Sequence, residues 1–255
     1  MRLRLKRLVL RLLRHLPGAR VLTIVPFDIE PDFAKIAHGW IHDLQNWDGA
    51  LGTATDPAAT EQLSLAIRKA AGERLVCCAI GGQNRHKGFD RFAAIYADNP
   101  DLRARMLFAY GGKVAAPLGA ASERFEQVGG FALNRFISDA ELTAFYHAAD
   151  IIWCVYDPAY DQASGLLGRA MQFGIPVAVR SGSVIERICR MEGHPHLALA
   201  SIDDWDGLLS PPPAMPLAEA ADRARRHGQV SLAKLAEALG VKPANDPFAS
   251  PPQVP

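Results

Sequence analysis

Between residues 74 and 191 the chain alternates short, mainly apolar segments with segments of helical character. The apolar segments are 74–80 (RLVCCAI), 105–110 (RMLFAY), 125–131, 150–155 (DIIWCV) and 177–180. None switches regularly between polar and apolar, so none has a wet face. Helices are read at 89–97, 138–149, 164–173 and 184–191. Ser138 with Glu141 three residues on is a capping box. Gly174 and Pro176 stop the helix that precedes them. Dry strands separated by helices predict a parallel sheet covered on both faces, an α/β, doubly wound fold.

The flanks are built differently. Residues 19–25 read as a short strand, 27–60 as an irregular docking linker with the aromatic piece GWIHDLQNWDG, and 58–71 as a helix. A last short strand is read at 197–199, a helix at 217–239, and a proline-rich, frayed end at 240–255. The domains expected are 1–60 (helix, strand and linker), 61–200 (the sheet domain) and 201–255 (a helical tail).

Charge is uneven along the chain. It has 28 Lys+Arg and 27 Asp+Glu, too balanced for a generic nucleic-acid binder. Seven of the basic residues and no acid fall within 1–27, leaving 21 basic against 27 acidic in the rest. Arg4, Arg7, Arg11 and Arg14 line one face of an N-terminal amphipathic helix, with Leu5, Val9, Leu12 and Leu16 opposite. Two readings stay open: a helix on an anionic membrane surface, or one packed on its own domain. No stretch reaches a membrane span. Cys77, Cys78, Cys154 and Cys189 form no CxxC pair, which fits a reduced, cytoplasmic compartment and no zinc site.

Two loops carry candidate chemistry. Gly81-Gly82-Gln83-Asn84-Arg85-His86-Lys87-Gly88 follows a strand and opens a helix. Arg85 and Lys87 beside flexible glycines suit a diphosphate at the carboxyl end of a strand. The alternative is a solvated basic loop. The loop matches neither GxGxxG nor Walker A spacing. The second loop, within 156–176, places Ser164 and Gly165 at a helix N-terminus, a ready anion site, with Asp161 just ahead to accept hydroxyl hydrogen bonds. Trp40 and Trp47 read as docking residues, with sugar stacking the alternative for both.

Residues 74–190 resemble the C-terminal, nucleotide-sugar-binding half of GT-B glycosyltransferases of the family 4 type. The matching pieces are Ile80-Gly81 to Lys87-Gly88-Phe89-Asp90, then Phe108 to Gly111. A G-x-[ILV] segment follows, with Ser138-Asp139-Ala140-Glu141-Leu142, Phe145-Tyr146 and Ala149-Asp150 after it. The last piece is Arg169-Ala170 to Gly174-Ile175-Pro176-Val177. The resemblance implies a Rossmann-like GT-B half and a retaining transferase without metal or cofactor, the nucleotide-sugar being a substrate. It implies catalytic roles for Arg85 and Lys87, which would stabilise the leaving diphosphate. Donor-binding roles fall on Gly81, Gly82, Leu133, Asp161, Ser164, Gly165, Leu166 and Arg169. It also implies a glycan or lipid-linked acceptor, a cytoplasmic protein peripheral at the inner membrane face, and no nucleic acid.

The departures are specific. The family's paired glutamates, with seven residues between them, fall on Asp161 and Arg169, and an Arg accepts no hydrogen bond from ribose. The family's arginine five residues before the loop lysine is Gly82. About 70 residues precede the resembling half, so the acceptor domain is expected from a partner chain or a homodimer. A non-catalytic scaffold derived from such an enzyme is the second expectation. An unrelated phosphate-binding α/β enzyme, such as an epimerase, is the third.

Overall fold

The computed structural model describes residues 2–51 and 56–241. Most of the end read as frayed, 240–255, lies outside the described residues. The chain divides into two compact units, Met1–Thr53 with Ala221–Pro255, and Ala54–Ala220.

The first unit opens with helix α1 (Arg2–Arg14), closed by Gly18 at φ 78°. Its strands β1 (Leu22–Thr23) and β2 (Gly39–Trp40) pair in parallel, with Leu22 opposite Gly39 and Thr23 opposite Trp40. The strand read at 19–25 is thus shorter than expected, and a second strand lies inside the segment read as irregular. Two residues are too few to show a period. Leu8, Val9, Leu12, Leu13 and Leu16 are all exposed on α1 and the turn after it. Val9, Leu12 and Leu16 are therefore not covered by packing, and the side chain of Leu5 lies outside the described residues.

The second unit begins with α2 (Pro57–Ala71), capped by the Asp56 carboxylate, which accepts from Ala58 and Ala59 N–H. Then come β3 (Leu75–Ile80), α3 (Phe89–Asp98), α4 (Pro100–Arg105), β4 (Met106–Gly111), α5 (Gly119–Gln127) and β5 (Phe131–Leu133). The second half is α6 (Asp139–Ala148), β6 (Ile151–Cys154), α7 (Gly165–Phe173), β7 (Val177–Arg180), α8 (Val184–Met191) and β8 (His196–Leu199). Helix α9 (Leu217–Leu239) starts here and continues in the first unit. The six strands form one parallel sheet in the order β5-β4-β3-β6-β7-β8. This is a Rossmann-like, doubly wound layer.

One strand reading is corrected. The segment 125–131 is not a strand; its first residues end α5, and pairing starts only at Phe131. The cause is Gly129-Gly130. Gly129 takes φ 89°, and a Cβ on Gly130 would lie 2.2 Å from the Phe125 ring. Phe125 thereby tucks under the turn as a core residue instead of pointing along a strand.

The core on this side is aromatic. Phe92 stacks on Phe108 at 4.6 Å, contacts Phe125 at 5.7 Å and meets Trp153 edge-on at 5.6 Å. Phe89, Tyr96 and Tyr110 complete the cluster, all fully buried. Such rings add packing energy beyond their buried area. A polar tie anchors the other face. Arg68 of α2 donates bidentately to Asp150 at 2.8 and 3.0 Å, and the same carboxylate accepts Val76 N–H at 2.7 Å. Asp150 thus pins α2 to the sheet just before β6. The capping box expected on α6 is present, with Ser138 and Glu141 satisfying each other's N–H.

Phe92→Ala should lower unfolding free energy by about 3–5 kcal/mol, the range for emptying a buried aromatic site. Urea unfolding followed by circular dichroism reads this. A loss below about 1 kcal/mol would mean that the ring fills no essential volume.

Candidate functional site

The strand order reverses between β3 and β6. From β3 the chain winds outward through β4 and β5, then returns to β6 and winds the other way. The loops leaving β3 and β6 stand at this switch point on the carboxyl edge, where doubly wound sheets bind ligands. These are the two loops singled out from the sequence.

The β3 loop is held by glycines and one glutamine. Gly81 takes φ 82° and donates to Gly111 O at 2.8 Å. A Cβ on Gly112 would lie 2.0 Å from Gly81 O, so the β4 end can approach only without a side chain. Gln83 is buried; its Nε2 donates to Ala79 O at 3.1 Å and Gly81 O at 2.8 Å. Its backbone also bonds to Lys113 and Ala115, stitching the loop to the chain after β4. Asn84 Oδ1 accepts Lys87 N–H at 3.0 Å and folds 85–87 into a tight turn. Gly88 ends the turn at φ 71°, where a Cβ would lie 2.1 Å from Val155 O. Gly82 differs: nothing would lie within 4 Å of a Cβ there, so packing leaves open space above it.

This geometry sets the two cations apart. Lys87 is half-buried, and its Nζ lies 3.2 Å from where a Gly81 Cβ would stand. Burial holds its pKa below the usual lysine value, with a smaller opposing contribution from Cys154. The ammonium makes no hydrogen bond or ion pair among the described residues. Arg85 is 74% exposed and loosely paired with Asp90 at 3.6 Å. Exposed pairs of this kind hold little energy, so Arg85 is free to turn to another anion.

The β6 loop is tied to the β3 loop. Asp157 N–H donates to His86 O at 3.0 Å, and the rings of His86 and Tyr160 stack at 5.6 Å. Arg91 lies 3.7 Å from the Asp157 carboxylate. Tyr156 is buried, and that burial pushes its phenol well above the ordinary pKa, so it stays protonated. Its hydroxyl bonds Ser164 Oγ at 2.8 Å, and that oxygen accepts Leu166 N–H at 3.2 Å. Ser164 is therefore a fixed N-cap, with Gly165 and Leu166 opening α7.

The remaining expected residues fall as follows. Asp161 Oδ1 accepts Val184 N–H at 2.9 Å and lies 3.2 Å from Arg180 Nη2. That oxygen is committed to α8 and β7. Arg169 sits on α7 four residues after Gly165, on the same helix face. Leu133 ends β5, and its carbonyl accepts from Gly112 N–H at 3.0 Å and Arg135 N–H at 2.9 Å. It shares the carboxyl edge but stands two strands from β3. The structure thus places Gly81, Gly82, Arg85 and Lys87 on one loop, and Asp161, Ser164, Gly165 and Leu166 on the loop facing it. Sequence reading missed Gln83 and the His86–Asp157 bond. A polar residue followed by Asn in a glycine loop was the only local signal for Gln83. The cross-loop bond leaves none. Cys77, Cys78 and Cys154 are fully buried free thiols, and burial raises their pKa values, so they supply no nucleophile.

No protein-family model and no curated protein matches the sequence. Solved structures do. WaaG, a glycosyltransferase involved in lipopolysaccharide biosynthesis, matches with a TM-score of 0.53 at 16% identity, over 88% of this chain and 63% of WaaG. An α,α-trehalose 6-phosphate synthase from Burkholderia multivorans gives 0.49 at 14% identity, over 82% of this chain and 53% of its own. The C-terminal domain of a group 1 glycosyltransferase, LpcC, from Francisella tularensis gives 0.44 at 15% identity, over 73% and 96%. The chain spans little more than half the length of the trehalose-phosphate synthase. The six-stranded parallel sheet thus has the fold of a Rossmann-like GT-B half.

Proposed function

We propose that the second unit binds a nucleoside-diphosphate sugar in the β3/β6 crevice and that the chain is a glycosyltransferase, or the donor-binding subunit of one. One observation carries this reading: the half-buried ammonium of Lys87, unpartnered among the described residues, beside the open space over Gly82. A desolvated cation with no internal partner is stabilised by an incoming anion. A diphosphate would lie between Lys87 and the α7 N-terminus, with Arg85 swinging in from Asp90. As the glycosidic bond breaks, these groups would hold the charge that develops on the leaving diphosphate, in a retaining transfer without metal or cofactor. Donor-binding roles are proposed for Gly81, Gly82, Leu133, Asp161, Ser164, Gly165, Leu166 and Arg169, within a donor domain read as 61–200. The first unit has a two-stranded sheet among its described residues, less than a second Rossmann layer. A partner chain or second copy is therefore proposed to supply the acceptor side, for a glycan or lipid-linked acceptor.

A second reading, binding without transfer, is favoured by one contact. Asp161 Oδ1 is already occupied by Val184 N–H and Arg180. Titration calorimetry with UDP-, GDP- and ADP-sugars in EDTA separates these possibilities from no binding, and product analysis separates transfer from binding alone. We expect one donor class to bind without metal. Lys87→Ala should then cost about 1.5–3 kcal/mol, and Arg85→Ala less because it starts exposed. Unchanged affinity in both variants removes this loop from the site.

The same reading puts the chain at the inner membrane face. Among the described residues no helix is long and apolar enough to cross a membrane. The exposed Leu8, Val9, Leu12, Leu13 and Leu16 stand with Arg11 and Arg14 on a segment free of acids. That combination fits an anionic bilayer surface. Each basic residue near such a surface adds about 1 kcal/mol, screened by salt. Full-length protein should co-sediment with anionic but not zwitterionic vesicles, and high salt or Leu12→Glu with Leu16→Glu should release it. Equal sedimentation of wild type and the double variant would leave α1 without a membrane role.

A further inference from the structure

The first unit contains a pocket that the donor reading does not use. It has a volume of about 420 Å³ and is lined by Arg20, Leu22, Phe27, His38, Trp40, Lys234 and Glu237, among others. Its walls are the two-stranded sheet and the last turns of α9. His227, Ser231, Lys234 and Ala238 recur at helical spacing on one face of α9. That face lies on β2 and its continuation. His227 stacks on His42 at 3.9 Å, Ser231 Oγ accepts His42 N–H at 3.0 Å, and His42 meets Trp40 edge-on at 5.1 Å. Trp40 is thereby held in one orientation.

The polar groups of the pocket have a definite sense. Lys234 Nζ stands 3.3 Å from the centroid of the Trp40 ring. It makes no hydrogen bond or ion pair among the described residues, and burial lowers its pKa, with Asp28 opposing. The indole face is thus its main internal compensation. His38 Nδ1 accepts Val21 N–H at 3.1 Å, so a neutral ring carries its proton on Nε2, as a donor. Among the described residues the Arg20 guanidinium bonds only its neighbour's carbonyl, Ala19 O, at 3.0 Å. Against these donors stands one lining carboxylate, Glu237. Flat aromatic wall, two cations, an imidazole donor and a single lining carboxylate together match a small polyol bearing one negative charge.

We propose that this pocket binds an anionic saccharide, a sugar carrying a phosphate or a carboxylate. Lys234 and Arg20 take the charged group, Glu237 accepts from ring hydroxyls, and the sugar ring lies against Trp40 and Phe27. The binding goes beyond the donor reading and does not depend on it. Only a role for that saccharide as the acceptor would rest on the transferase reading.

Calorimetry on the full chain, with mannose 6-phosphate and glucuronate as probes and glucose and inorganic phosphate as comparators, tests this. At least one anionic sugar should bind more tightly than both comparators. Lys234→Gln should weaken it about tenfold or more, Trp40→Leu should weaken it too, and Lys234→Arg should restore most of it. Arg20→Gln serves if Lys234→Gln fails to fold. Lys87→Ala should leave this binding unchanged, which separates it from the donor crevice. No binding, equal binding of inorganic phosphate, or loss in Lys87→Ala with retention in Lys234→Gln would each overturn the proposal.

Discussion

Parallel strand pairing governs this molecule. Parallel strands need crossovers, and crossovers cover both sheet faces, so every strand between Leu75 and Arg180 must be apolar on both sides. That requirement explains Cys77, Cys78 and Cys154. They are small, apolar fillers at fully buried positions of these strands. Parallel pairing also puts every carboxyl end on one edge, and the reversal of strand order then decides where on that edge a gap opens. Position of the candidate site follows from topology, and its chemistry from the loops.

The loops work by closeness. Gly88 lies where any Cβ would meet Val155 O, and Gly112 where any Cβ would meet Gly81 O. These two contacts draw the β3 loop down onto its neighbours on both sides. Gln83 then satisfies the carbonyls of Ala79 and Gly81 from within, as a buried amide must. In this tightly packed loop Lys87 stays half-buried over Gly81. The lowered lysine pKa is thus a consequence of glycine placement. A looser loop would solvate the lysine and lose the drive to bind an anion.

Legibility in the sequence tracked the range of the interaction. Helices α8 and α9 and strand β7 were readable to their ends because caps, glycines and prolines act locally. The capping box at Ser138 was readable for the same reason. The segment 125–131 misled because its apolar residues serve a turn, not a ladder, and only the Phe125–Gly130 contact reveals that. Strand β2 was hidden because two residues carry no period. Arg85, Lys87, Ser164 and Gly165 were visible as types suited to phosphate. The commitment of Asp161 to Val184 and Arg180 was not visible, since it joins residues 23 and 19 positions apart through the fold.

The substitution pattern around α7 bears on what the crevice would discriminate. Arg169 adds a cation one turn inside a helix whose N-terminus already carries partial positive charge. Arg180 adds another at the β7 end, its Nε buried without a hydrogen-bond partner among the described residues. Asp161 is partly consumed by Arg180. At the proposed donor site, donors would then outnumber the side-chain acceptors. Diphosphate supplies only acceptors, whereas ribose and sugar hydroxyls need acceptors to donate to. Under the proposed function, recognition there would weight the diphosphate over the ribose. The binding energy would be electrostatic and salt-sensitive, and the sugar would be chosen by acceptors such as the second oxygen of Asp161 and the backbone carbonyls of the two loops.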